Sequence, residues 1–310
     1  MNPKVSIIIN CHNGERFLRE AIESVYAQTF KEFIIIFFDN ASSYNSAKIA
    51  KSYNEKIKYI YNNDLISLGA ARKLAVEYAD TEWIAFLDSD DFWYPNTLSC
   101  QFDLLKYDNY IACYAGVQEI TPVGNKIRDV LPIHSSGNIL EGLLRQFDIN
   151  MVTPMVRKDV IRKFGINFDP VITASEEYNF FIRLSAKGKF LVQQTLLGTY
   201  RVSPGSLTER QSEHWASERR YTLKSLELEN SDIKNKYPKA FQEAEARACY
   251  YDAQNLMSKN KFNEARDILR KVKFQDYRYY FLYFVAHSPY LWKMLHKRSF
   301  RLKILSLIKY

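Results

Sequence analysis

Within its first ninety residues the chain alternates short, nearly continuous apolar runs with stretches of helical spacing, and few architectures tolerate that pattern. Val5–Ile9, Phe33–Phe38, Ile57–Tyr61 and Trp83–Leu87 are rich in Ile, Phe and Tyr. Apolar runs with little in–out alternation belong to strands buried on both faces of a parallel sheet. Between them, Phe17, Leu18, Ala21, Ile22, Val25 and Tyr26 fall at steps of three and four, on one helical face. Ala47, Ile49, Ala50 and Tyr53 make a weaker second helix, and Ala70, Ala71, Leu74, Ala75 and Tyr78 a third. Repeated strand–helix units of this length predict an α/β domain with a mostly parallel central sheet. In open sheets of this kind ligands gather outside the carboxyl ends of the strands. Those exits carry Asn10-Cys11-His12-Asn13, Asp39-Asn40, Asn62-Asn63-Asp64 and Asp88-Ser89-Asp90, so every one of them is polar.

From Tyr110 to Tyr200 the pattern loosens into strand-like pieces (Tyr110–Ile120, Met151–Val156, Phe190–Val202) mixed with short helices. After Pro204-Gly205 helix formers dominate. Ala240–Ser258 and Phe262–Val272 read as two antiparallel helices, and a further helix begins at Ser288-Pro289, where Ser can cap and Pro tolerates the first position. The helical pair is similar to one tetratricopeptide hairpin, without a second copy. The expected organisation is an α/β domain over 1–210, with halves of about 1–110 and 111–210, followed by a helical extension over 211–310.

The formal charge of +8 is unevenly spread. Residues 1–212 carry about 23 basic and 24 acidic side chains, and residues 213–310 about 20 and 11. The near-neutral first part and the absence of a recognised reader motif argue against nucleic acid as a partner. Residues 278–310 mix seven Lys and Arg with apolar and aromatic residues and contain no acid. This favours an anionic membrane surface; a helix packed on the protein with a solvated basic face is the alternative. No signal peptide and no apolar run of ~20 residues is evident. Cys11, Cys100, Cys113 and Cys249 lie far apart and read as free thiols of a reducing compartment. The expected location is cytoplasmic, peripheral at the inner face of the plasma membrane.

The strongest local chemistry is Trp83-Ile84-Ala85-Phe86-Leu87-Asp88-Ser89-Asp90-Asp91, an apolar strand that ends in three carboxylates. Like charges so close repel, and a hard divalent ion with oxygen ligands, Mg²⁺ or Mn²⁺, would relieve them and bridge to a diphosphate. The alternative is an acidic turn capping a helix near Pro95-Asn96. Asp39 could accept a hydrogen bond from a nucleobase imide, or cap the helix that follows. Arg72, near the start of a helix, could clamp phosphate, or be an ordinary surface residue. His12 suits a capping or packed polar role better than metal binding.

Val5–Asn10, Asp39, Gly69–Lys73 and Phe86–Asp91 together resemble the nucleotide-binding half of the family 2 glycosyltransferases, whose fold is the Rossmann-like GT-A fold. The acidic run is similar to that family's DxD motif. Gly165-Ile166-Asn167-Phe168-Asp169 and Ser175-Glu176-Glu177-Tyr178-Asn179-Phe180-Phe181-Ile182-Arg183-Leu184 resemble its Gly-x-x-Asp segment and its ED helix. Tyr200-Arg201 with Ser206-Leu207-Thr208 resembles its closing loop, so the likeness covers about residues 4–210. The resemblance implies that Asn10, Asp39, Arg72, Asp88, Ser89 and Arg201 bind a nucleotide sugar. It also implies that Asp90 and Asp88 hold the metal and that Glu177, beside Glu176, is the general base. Two positions depart from the pattern. Glu177 stands where Asp is usual, and Ser203 stands where many relatives have a histidine.

The mechanism implied is direct displacement. A cation stabilises the departing diphosphate, and a carboxylate takes the proton of the acceptor hydroxyl as it attacks, inverting the anomeric centre. The expected donor is a nucleotide diphosphate sugar, by family habit a UDP-sugar. The expected acceptor is a glycan or lipid-linked oligosaccharide of envelope polysaccharide, lipopolysaccharide or glycoprotein synthesis. A nucleotidyltransferase of related fold would need a glycine-rich basic loop after the first strand, which Asn10-Cys11-His12-Asn13-Gly14 is not. A non-catalytic sugar-nucleotide binder would be expected to have lost carboxylates that are present here.

Overall fold

The apolar runs of the first ninety residues become the parallel strands of one sheet. The computed structural model describes residues 3–53, 55–203 and 210–296. The chain divides into two units, residues 1–208 and 209–310. The strands of the first unit are β1 (Val5–Cys11), β2 (Phe33–Asn40), β3 (Ile57–Asn62), β4 (Trp83–Phe86), β5 (Phe92–Trp93), β6 (Tyr110–Ile120), β7 (Lys126–Val130), β8 (Met155–Arg157) and β9 (Lys189–Arg201). Its helices are α1 (Leu18–Tyr26), α2 (Tyr44–Ala50), α3 (Leu68–Glu77), α4 (Thr97–Leu105), α5 (Leu140–Arg145), α6 (Lys158–Phe164) and α7 (Glu176–Ser185).

The sheet order is β3-β2-β1-β4-β8-β6-β9-β5, with β7 beside β6. β1 to β4 run parallel. β8 then enters antiparallel to both β4 and β6, and β6 and β9 pair in parallel again. All seven residues of β1 are buried, as a central strand covered on both faces requires. Burying each Ile or Val there contributes about 1.5–3 kcal/mol. A charged residue at Ile7 would forfeit that term and add an uncompensated charge. Helix α1 buries Leu18, Ala21, Ile22 and Val25, the stripe that its sequence spacing defines. Helix α3 starts where the Ser67 hydroxyl accepts the Ala70 N–H at 3.3 Å, satisfying one of the orphan donors of the first turn. The Met151–Val156 piece shortens to three residues of strand, whereas Tyr110–Ile120 is a strand throughout.

β1 lies between β2 and β4, so the strand order reverses at the β1–β4 boundary. After β4 the chain stays pinned to β1, because Leu87 N–H donates to the Ile8 carbonyl at 3.0 Å. Five residues later β5 pairs antiparallel with Gly198 and Thr199 of β9. The segment Asp88–Asp91 is therefore a turn held at both ends. It caps no helix: α4 begins only at Thr97, with no side-chain cap bond.

The second unit is helical: α8 (Trp215–Glu229), α9 (Ile233–Lys236), α10 (Pro238–Ser258), α11 (Phe262–Val272), α12 (Tyr277–Val285) and α13 (Pro289–His296). Its core gathers Ala253, Met257, Ala265, Leu269, Val285, Ala286 and Trp292. The expected antiparallel pair is α10 and α11, and α13 starts at Pro289 as expected. Ser206-Leu207-Thr208 and the tail beyond His296 lie outside the described residues. Among those described, no helix is long and apolar enough to cross a membrane.

Candidate active site

The strand order reverses between β1 and β4, and the carboxyl ends of those strands are the usual ligand position of open α/β sheets. Three loops are tied together there. His12 Nδ1 meets the Asn40 carbonyl at 2.8 Å, and Asn13 Oδ1 accepts the Ser43 N–H at 2.7 Å. Asn40 reaches on to the next loop, donating to the Ile66 carbonyl at 2.8 Å and accepting the Ile66 N–H at 3.1 Å. Asn13 and Ala41 are both left-handed, with φ of 53° and 56°. For alanine that conformation costs roughly 1–2 kcal/mol, which the surrounding bonds must offset. His12 is thus an exposed polar link between loops. Asn10 is buried, and its Nδ2 has no hydrogen-bond partner among the described residues.

Asp39 is fully buried at the exit of β2. One carboxylate oxygen accepts the Ser42 N–H at 2.8 Å and the other the Tyr59 hydroxyl at 2.6 Å. Burial first, and the Asp39 carboxylate second, raise the Tyr59 hydroxyl above its ordinary range. The cap residue of α2 is Ser43, so Asp39 acts within its own loop and on β3. Nothing in the sequence marks Tyr59 as its partner.

Arg72 departs most from a surface helix residue. It is 3% exposed and joins two distant carboxylates. Its Nη1 donates to Glu176 Oε1 at 2.8 Å and its Nη2 to Asp88 Oδ1 at 2.7 Å. Burial works to lower the Arg72 pKa, but Asp88, Glu176 and Glu177 together hold it raised. Glu176 is 4% exposed. Burial, then Glu177, push its carboxyl above the usual range against the pull of Arg72. The close approach of α3 to α7 needs Gly69: a Cβ there would stand 3.0 Å from the Ile172 carbonyl oxygen and 3.2 Å from Glu176 Cβ. Glu177, the next residue, is half-buried in the first turn of α7.

The acidic turn is held from its other side by Arg201. The Arg201 amide donates to Asp91 Oδ1 at 2.7 Å, and its Nε donates to the Asp90 carbonyl at 2.9 Å. Its Nη2 meets Glu20 at 2.6 Å, its Nη1 the Pro122 carbonyl at 3.3 Å, and the guanidinium lies 4.0 Å from the Phe17 ring centre. The side chain expected to bind the donor is therefore turned toward protein groups. Burial and neighbouring Asp88 push the Asp90 carboxyl up to about 6, with Arg201 opposing. Asp91, buried beside Asp90 and Asp88, is held well above the usual carboxylate range, and its Oδ2 has no partner among the described residues. Ser89 is in close reach of the first loop, since a Cβ on Gly14 would come 2.8 Å from Ser89 Oγ.

These are the oxygen donors that a hard divalent cation prefers, and burial and repulsion resist the ionisation that such a cation would favour. Asp90 and Asp88 are the candidates to hold it, with Asp88 Oδ1 already engaged by Arg72. Among the described residues no three His, Cys, Asp or Glu side chains are gathered into a ready cage. Further ligands would have to come from a bound diphosphate.

A mostly parallel sheet with an acidic turn at its reversal point, followed by antiparallel additions and a terminal helical unit, is the GT-A glycosyltransferase architecture. The sequence profile of "Glycosyl transferase family 2" matches residues 6–165, and the chain belongs to that family. It is 30% identical over 208 residues to an uncharacterized glycosyltransferase of Methanocaldococcus jannaschii, covering 64% of this chain and 71% of that one. It is 29% identical over 165 residues to WfgD of Escherichia coli, covering 53% of this chain and 64% of WfgD. WfgD is a "UDP-Glc:alpha-D-GlcNAc-diphosphoundecaprenol beta-1,3-glucosyltransferase". Other curated relatives are matched over only 34% of their length. Among solved structures, Staphylococcus aureus TarS (residues 1–349, in complex with UDP-GlcNAc) shares the fold with a TM-score of 0.71 at 17% identity, over 92% of this chain and 87% of that one.

Proposed function

We propose that this chain transfers a sugar, with inversion, from a UDP-sugar to a hydroxyl of a lipid-linked glycan, at the inner face of the plasma membrane, in envelope-glycan synthesis. The observation that carries the reading is Arg72, which bonds Asp88 of the donor-side turn and Glu176 of the acceptor-side helix with one guanidinium. That bond brings α7, and with it Glu177, to the acidic turn. The unpaired buried Nδ2 of Asn10 is a further support, because an unmet buried donor costs about 1–3 kcal/mol and a ligand acceptor would relieve it.

Asp90, with Asp88 beside it, would hold Mn²⁺ or Mg²⁺ against the donor diphosphate. When bound, the cation supplies charge stabilisation to the leaving phosphate oxygen. The protein does the rest. Asp39, fixed by Ser42 and Tyr59, shapes the floor on which the base lies. Arg201 holds the acidic turn in place, and Ser89 closes it against the Gly14 loop. Glu177, half-buried at the start of α7, takes the proton of the acceptor hydroxyl as that oxygen attacks the anomeric carbon. Glu176, bonded to Arg72, fixes the helix that carries Glu177. The donor and acceptor classes rest on the likeness to WfgD.

The test is a donor screen that follows nucleotide diphosphate release with a panel of sugar nucleotides, Mn²⁺ and a polyprenyl-diphosphate GlcNAc acceptor. UDP release that depends on acceptor, with an inverted anomeric signal in the product NMR spectrum, is the expected result. Release from no donor, or a product that retains the donor configuration, refutes the reading.

A further inference from the structure

Helix α12 is apolar on two opposite faces. Its inner face buries Tyr279 and Val285, with Leu282 and Tyr283 packed against the cores of the helical unit. Its outer face carries Tyr277, Tyr280, Phe281 and Phe284, at the i, i+3, i+4, i+7 spacing of a single stripe, and all four are exposed. Phe274 extends the stripe before the helix; it and Tyr277 are 82% and 81% exposed. The rings form one surface: Phe274 and Tyr280 lie 6.2 Å apart and Tyr280 and Phe284 4.8 Å apart. A soluble surface rarely leaves contiguous aromatic area of this kind in water without a partner.

The charge around it names the partner. Among the described residues from 268 to 296 there are five Lys and Arg (Arg270, Lys271, Lys273, Arg278 and Lys293) and a single acid, Asp276; Arg270 also pairs with Asp267 just before them, at 3.3 Å. Asp276 is spent locally, accepting the Arg278 N–H at 2.8 Å and pairing with the Arg278 guanidinium. Arg270, Lys271 and Lys293 are exposed, and Lys273 Nζ lies 4.8 Å from the Phe274 ring. A second copy would bring the same positive charge to the contact. A single-stranded nucleic acid would want parallel ring platforms in a groove, whereas Tyr280 meets Phe284 edge-on and the stripe lies along an exposed helix. Aromatic rings among basic side chains on a helix face match the boundary between anionic headgroups and acyl chains, where rings bury and ammonium and guanidinium groups stay in water.

We propose that α12 is the membrane-contact surface of this protein, lying on an anionic bilayer with its aromatic stripe in the headgroup boundary. The inference rests on the lipid-linked acceptor reading, and vesicle flotation reads the surface separately from turnover. Flotation of the full chain with phosphatidylcholine vesicles, with and without roughly a third phosphatidylglycerol, reads binding directly. The wild type is expected to float with the anionic vesicles at low salt. The variant Phe274→Ser/Tyr277→Ser/Phe281→Ser should bind at least about tenfold more weakly. Its thermal midpoint and its turnover of a soluble acceptor analogue should match the wild type. Wild type that does not float, or a variant that binds within about twofold of it, overturns the proposal and leaves any binding to the tail beyond His296. Loss of a dimer or of oligonucleotide binding in the variant, with vesicle binding kept, overturns it equally. Failure of flotation with normal turnover would leave the catalytic reading intact, and the reverse outcome would leave the surface intact.

Discussion

Replacing Arg72 by Ala should destabilise the protein more than any single change at the exposed rim of the site. The side chain is 3% exposed and supplies two charge-assisted hydrogen bonds, at 2.7 Å to Asp88 and 2.8 Å to Glu176. Each is worth about 1.5–3 kcal/mol, and removing one member of a buried ionic cluster costs ~3–5 kcal/mol in all. The guanidinium also lies 5.9 Å from the Phe168 ring, so its removal loosens aromatic packing beneath α3. Protonation caps the loss, because Glu176 is already pushed toward its neutral form by burial and by Glu177. The ionised partner left stranded is then Asp88, which is partly in contact with water. Urea unfolding should therefore give a loss near the lower end of that range for Arg72→Ala. Arg72→Lys should fall between, since one ammonium cannot reach both carboxylates with a planar fork. Glu176→Gln, which keeps the acceptor oxygen and removes only an ionisable proton, should be close to wild type. A loss below about 1 kcal/mol for Arg72→Ala, or a larger one for Glu176→Gln than for Arg72→Ala, refutes the argument.

Four further outcomes follow from the same geometry. Glu177→Gln should lower turnover ~10²–10⁴-fold with donor binding little changed, and Glu176→Gln should be milder; reversed severity would make Glu176 the base. Asp90→Ala should remain folded and lose metal-stimulated turnover, and full activity of that variant in EDTA would exclude Asp90 as the ligand. The raised Glu176 carboxyl binds a proton in the native state that the unfolded chain, with its ordinary value of 4.5, has released. That contribution to stability is complete below pH 4.5 and is lost as pH rises through the native value. Urea midpoints of Glu176→Gln should lack this decline relative to wild type, and parallel pH profiles would refute it. Gly69→Ala should cost about 1–3 kcal/mol, because its Cβ would press on the Ile172 carbonyl at 3.0 Å; an unchanged midpoint would mean that α3 and α7 can separate freely.

The parallel half of the sheet was legible because it is written locally. Seven buried residues in β1 and the stripe of α1 need no knowledge of distant partners. The polar strand exits were legible for the same reason. Arg72 was not, since the pattern of α3 is equally consistent with an exposed arginine and its partner Glu176 lies 104 positions away. Arg201 was placed on the donor by resemblance, whereas its guanidinium is directed to Glu20, 181 positions away, and to the Asp90 carbonyl. The strand at Met151–Val156 was legible, but its antiparallel pairing with β4 and β6 is not written in its own residues, and the two-residue β5 is too short for a period to register. What periodicity misses here is consistently the pairing of charges across the sheet.

Those pairings explain how the acidic turn can exist before any donor arrives. Three carboxylates in four residues repel, and burial worsens it for Asp90 and Asp91. Arg72 takes up Asp88 from α3 on one side, and the backbone and side chain of Arg201 hold Asp91 and the Asp90 carbonyl from β9 on the other. The turn is thus clamped between two buried guanidinium groups that neutralise part of its charge and fix its backbone. The Asp90 carboxyl stays raised, by burial and by Asp88, despite Arg201. On the proposed reading, a turn fixed in this way needs little rearrangement to meet a diphosphate and its cation. Because Arg72 also holds Glu176, any displacement of Asp88 toward a cation is felt at the first turn of α7. On the proposed reading, donor capture and the orientation of Glu177 are coupled through one side chain, and Arg72→Lys, which keeps the charge but breaks the fork, should lower turnover more than donor affinity.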